Sequence, residues 1–95
     1  MKVKVENEKI FAYMAVMDLD EFSMARKCEI SLNQARNLLK RKVWSTNGKV
    51  LIRFCNNTNL KFSSIFQILE SKTASDKLTE SVLLNYYDGD DRLKL

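Results

Sequence analysis

Apolar residues recur at helical spacing over most of this chain. From Asn7 onward, Ile10, Phe11, Met14 and Met17 fall three and four apart, with Ala12 and Ala15 between them, which predicts a first helix over residues 6–17. Asp18-Leu19-Asp20 interrupts the pattern. The Asp20 carboxylate suits the free backbone N–H groups at a helix start, so a second helix is expected from Glu21 to Cys28, with Phe22, Met24, Ala25 and Cys28 on its inner face. Only Glu29-Ile30 separates it from the next helix. Ser31 and Gln34 have capping-box spacing and open a third helix over 32–42, buried along Ala35, Leu38 and Leu39. Arg36, Asn37, Lys40 and Arg41 lie off that stripe.

Val43 to Gly48 admits two readings. Asn47-Gly48 is a strong hairpin dipeptide, and Val43-Trp44 with Val50-Leu51-Ile52 would make it the tip of a two-stranded wing over 43–54. Alternatively Gly48 ends a loop, and Val50, Leu51, Phe54 and Cys55 line a fourth helix; the spacing of 51, 54 and 55 favours the helix. Asn56 to Asn59 breaks it, and Phe62, Ile65, Phe66 and Leu69 read as a fifth helix. The expected fold is therefore all-α, a five-helix domain over 1–69 with a winged helix as the alternative. The segment 70–95 reads as a tail. It holds a helix over about 75–87, started by Ser75 or Asp76 and carrying Leu78, Val82, Leu83 and Tyr86, and that helix either packs on the domain, pairs with a second copy or stays disordered.

Charge adds a direction to this picture. The 95 residues carry a net charge of +4, unevenly placed. Between Phe22 and Lys61 nine cations face the single anion Glu29, a net of +8, whereas the stretch from Gln67 to Leu95 is mildly acidic. A basic middle implies a polyanionic partner. The start, Met1-Lys2-Val3-Lys4-Val5-Glu6, has no signal-peptide character and no stretch is apolar enough to span a bilayer, so a cytoplasmic protein is expected. With no His, and with Cys28 and Cys55 standing alone, the residue types offer neither a zinc site nor a Ser-His or Cys-His dyad; both cysteines read as buried apolar residues. No Gly-rich phosphate loop is present, and Asp88, Asp90 and Asp91 lack the spacing of a calcium loop. No enzyme activity, cofactor or metal is expected.

The informative unit runs from Met24 to Ala35. An apolar and a small residue, Met24-Ala25, precede a very short turn, Ile30 fills the corner, and Ala35 lets the second helix cross the first closely, a helix-turn-helix arrangement. Here the chain resembles the Cro and phage-repressor (XRE-type) family of helix-turn-helix regulators. That family has the pattern Leu-Ala-x-x-x-Gly-(apolar)-Ser-x-x-x-(apolar), which reads Met24-Ala25, Glu29-Ile30-Ser31 and Ala35 here. Val50 to Phe66 is similar to the family's closing helix pair, so the resemblance covers about residues 5–69. Four departures stand out. Glu29 replaces the turn glycine. Asp20 and Glu21 stand where a phosphate-binding Gln is usual. Met14 and Leu39 replace an Arg–Glu pair, and the loop before Val50 is about two residues long for the family.

The resemblance implies base-edge contacts from Leu32, Asn33, Arg36 and Asn37. Asn suits adenine, Arg suits guanine, and Leu32 suits a thymine methyl. Lys40, Arg41, Lys42 and Lys49, with Lys27 and Ser31, are assigned to phosphates, which position a protein without reading sequence. Trp44 either packs under the loop or lies against the DNA backbone. The implied function is a sequence-specific transcriptional regulator, a repressor of a phage or mobile element, binding double-stranded DNA as a homodimer. The alternatives are a protein-interaction module, for which Leu83, Tyr86 and Tyr87 of the tail provide the motive, and a winged-helix excision or accessory factor.

Overall fold

The computed structural model describes residues 1–95 and corrects the all-α expectation. Six helices pack with a three-stranded antiparallel sheet, so the fold is mixed α/β. The element missing from the sequence reading is β1 (Lys2–Val5). Its Lys-Val-Lys-Val alternation turns Val3 and Val5 into the core, at 0% and 2% exposure, and both lysines outward. β1 is the central strand. On one side it pairs with β2 (Val43–Ser45), Val3 opposite Trp44 and Lys4 opposite Val43. On the other it pairs with β3 (Phe66–Glu70), Val5 opposite Phe66 and Lys4 opposite Gln67.

The hairpin alternative over 43–54 is also corrected. β2 pairs with β1 rather than with residues 50–52, and Asn47-Gly48 begins a helix, α4 (Gly48–Thr58). The Asn47 carboxamide oxygen accepts from the Lys49 N–H at 2.9 Å, so the residue that signals a turn here serves as a helix cap. Gly48 meets α6 (Ala74–Tyr86): a Cβ at position 48 would lie 2.3 Å from Thr79 Cγ2. Trp44 is buried at 5% exposure, which removes it from any surface that could meet DNA.

The first three helices, α1 (Asn7–Val16), α2 (Glu21–Cys28) and α3 (Leu32–Lys40), form where the apolar periodicity places them, but Phe11, Met17 and Phe22, counted in the apolar patterns of the first two, are exposed. α3 stops two residues short of the expected 42, because Arg41 turns extended and leads into β2. The Asn7 carboxamide donates to the carbonyls of Leu38 and Arg41, at 2.7 and 2.9 Å, tying the start of α1 to the end of α3. The expected fifth helix divides into α5 (Phe62–Ile65) and β3, where Phe66 is extended and stacks on Phe62 with ring centroids 5.4 Å apart.

α6 packs against α4 and α5 and delivers Leu83, fully buried, to the core. The residues after it fold back on the end of α4. Arg92 lies over the Tyr87 ring at 4.8 Å and donates to the carbonyls of Leu60, at 3.2 Å, and Cys55. Asp88 accepts from the Ser63 N–H at 2.7 Å in the first turn of α5.

Candidate nucleic-acid interface

Both helices of the α2–α3 unit are fixed at their N-termini by reciprocal caps. The Asp20 carboxylate accepts from the Ser23 N–H at 2.8 Å while the Ser23 hydroxyl accepts from the Asp20 N–H at 2.9 Å. That backbone bond from Ser23, followed by its hydroxyl, holds the Asp20 carboxyl below the usual carboxylate range. Ser31 and Gln34 repeat the arrangement at α3, at 3.1 and 2.9 Å. Asp20 is thus occupied as a cap, and the start of α2 offers an anion where a phosphate donor would help.

The turn between the helices rests on Glu29, which sits in the left-handed region at φ 57° and ψ 40°. A side chain there costs about 1–2 kcal/mol, which a glycine avoids. The turn keeps its shape because it is packed on all sides: Met24, Ala25 and Cys28 before it, Ile30 within it, and Ala35, Leu38 and Leu39 after it are all buried. Ala35 is 1% exposed.

The four expected base-contacting residues share one side of α3, but not one environment. Asn33 is exposed, while Asn37 is half-buried. Leu32 is half-buried in a shallow apolar cleft of about 410 Å³, lined also by Phe22, Ala25, Arg26 and Ile30. Arg36 is held: its Nε and Nη2 both donate to Glu21 Oε1, at 3.1 and 3.0 Å. Glu21 is the residue that sequence reasoning missed. Its only trace was its place at the start of α2, where the resembled family has a polar phosphate contact.

Of the residues assigned to phosphates, Lys27, Lys40, Arg41, Lys42 and Lys49 form no ion pair within the protein, and all but half-buried Lys27 are exposed. The Ser31 hydroxyl oxygen is taken by the α3 cap. Lys40, Arg41 and Lys42 follow α3 directly, whereas Lys49 lies beyond β2 in the first turn of α4. The sheet adds a cation that was not anticipated. Lys4 is exposed on β1 opposite Val43, which places it on the strand beside the Arg41-Lys42 segment, and the alternation of residues 2–5 was the signal for it.

Two further groups are removed from chemistry. Burial pushes the Cys28 and Cys55 thiols up to about 12, so neither is a thiolate at neutral pH. No helix is long and apolar enough to cross a membrane. Comparison of the chain with protein-family models, with curated proteins and with solved structures finds no match.

Proposed function

We propose that this protein binds double-stranded DNA with a sequence preference, placing the exposed side of α3 in the major groove. The observation that carries this reading is the α2–α3 unit itself. Two capped helices are joined by the three residues Glu29-Ile30-Ser31, and the second leads with Asn33, Arg36 and Asn37 and runs into the unpaired cations of residues 40–42. A helix of this kind fits the major groove, where donors and acceptors distinguish all four base pairs. The free cations supply the sequence-independent attraction. A two-fold operator bound by a homodimer, with transcriptional regulation as the outcome, extends the same reading. The test is binding to a duplex selected from a random pool, compared with a scrambled duplex across salt concentrations; equal affinity for the two at every salt concentration would refute sequence-specific binding.

A protein-interaction role is the second reading, and α6 supports it. Leu78, Val82 and Tyr86 follow one another at four-residue steps on its outer side, exposed at 72%, 38% and 77%. A partner protein that co-purifies with the full chain, together with no retardation of any duplex, would select this reading.

A further inference from the structure

We infer that Glu21 is a positioning residue for base recognition: it grips the side edge of the Arg36 guanidinium and presents the end edge to guanine. The inference rests on the reading of α3 as a DNA-binding helix. A guanidinium is a planar fork of five N–H groups, with a side edge made by Nε and Nη2 and an end edge made by Nη1 and Nη2. Glu21 Oε1 accepts from Nε at 3.1 Å and from Nη2 at 3.0 Å, which occupies the side edge. Nη1 and the second hydrogen of Nη2 have no acceptor in the protein. Those groups form the edge that makes a bidentate pair with O6 and N7 of guanine.

The placement of Glu21 supports this role. It lies in the first turn of α2, where the helix dipole favours a carboxylate, and that turn is fixed by the Asp20–Ser23 capping box. The acceptor is therefore set by a rigid element rather than by a loop. An unsupported arginine has several rotatable bonds to order on binding; one held by its side edge loses less freedom when it meets the base. The same carboxylate opposes the phosphate backbone, so Glu21 has two effects of opposite sign. It lowers affinity for duplex in general and raises discrimination at one base pair.

That opposition separates positioning from a mere brace between α2 and α3. The experiment compares the full-length protein with Glu21→Ala, Arg36→Ala and the double variant, on a duplex selected with the unaltered protein and on its single-base-pair substitutions. In Glu21→Ala, the preference for guanine at one position should fall about tenfold, within the range of one bidentate contact. Affinity for scrambled duplex should stay level or rise, and the substitution should change nothing further at that position in the Arg36→Ala background. Glu21→Gln, which keeps the side chain's size, should show the same loss in smaller measure and serves if the alanine variant folds poorly. An unchanged guanine preference, or a loss spread evenly over all positions, would overturn the positioning role while leaving DNA binding in place. A full-length protein with no preference among duplexes would overturn the DNA-reading assignment, and this inference with it.

Discussion

Arg36 reaches back from α3 to Glu21 on α2 and places two nitrogens on one carboxylate oxygen, at 3.1 and 3.0 Å. Their side chains remain 42% and 30% exposed, so solvent screens the pair and its share of the folding energy is small, on the order of 0.2–1 kcal/mol. Binding has more at stake. Arg36→Ala should therefore lower stability by no more than about 1 kcal/mol, while removing about 1–3 kcal/mol of discrimination at one base pair. Urea unfolding and duplex competition on the same preparation would separate the two; a stability loss of several kcal/mol would show that the pair is principally structural.

Glu29 is a strained position with a simple remedy. Glu29→Gly should stabilise the protein by about 0.5–1 kcal/mol, the relief of the left-handed conformation being partly offset by the greater freedom of glycine in the unfolded chain. Glu29→Ala removes the same charge but keeps the strain, and should give no such gain. Equal stabilisation by the two variants in denaturant unfolding would assign the effect to charge instead.

Gly48 of α4 lies directly against Thr79 of α6. Its backbone lies outside the left-handed region, so the need for glycine comes from space alone: an added Cβ would sit 2.3 Å from Thr79 Cγ2. Gly48→Ala should cost about 1–3 kcal/mol even though alanine is the better helix former. Thr79→Ser removes the offending methyl and should restore part of that loss in the double variant. Full stability in Gly48→Ala alone, by thermal unfolding, would mean that α6 is not seated as described.

The buried thiols give the protein an alkaline weakness. Folding raises Cys28 and Cys55 to about 12, chiefly by desolvation, so at high pH the folded state holds protons that the unfolded state has released. Their contribution is constant below the ordinary thiol range near pH 8.5 and is lost as pH rises through it toward 12. The slope approaches about 1.4 kcal/mol per pH unit for each cysteine. Unfolding measured from pH 7 to 10.5 should show this decline, and the Cys28→Ala/Cys55→Ala variant, though less stable at pH 7, should show a shallower one. Parallel curves for the two proteins would contradict it.

The sequence made the capped helix pair α2–α3 legible because its determinants are local. Asp20 and Ser31 are caps that act within three residues, and the buried stripe of Ala35, Leu38 and Leu39 has a single helical period. The sheet depends instead on pairings between distant segments. Residues 2–5 carry only a short alternation, and they become a strand because Val43–Ser45 and Phe66–Glu70 flank them. Phe62, Ile65, Phe66 and Leu69 fit a helix as well as a strand, and β1's need for a second neighbour decides the matter at Phe66. Asn47-Gly48 misled for a different reason: asparagine caps helices and makes hairpin turns with the same short side chain. At the site, the exposed side of α3 followed from periodicity. The Glu21–Arg36 contact depends on how two helices cross and on the rotamers of two long side chains, which no spacing rule encodes.

The proposed function is that α3 reads duplex DNA while the cations around it hold phosphate. It is tested most directly by measuring the affinity of the full-length protein for a selected duplex and its scrambled counterpart between about 50 and 200 mM salt, the range over which phosphate contacts are released. If Lys27, Lys40, Arg41, Lys42 and Lys49 each neutralise one phosphate, log affinity should fall against log salt with a slope of about −4 to −5 per bound copy. The selected duplex should remain at least about a thousandfold tighter at physiological salt. A slope near zero, or curves for the two duplexes that coincide throughout, would contradict the account.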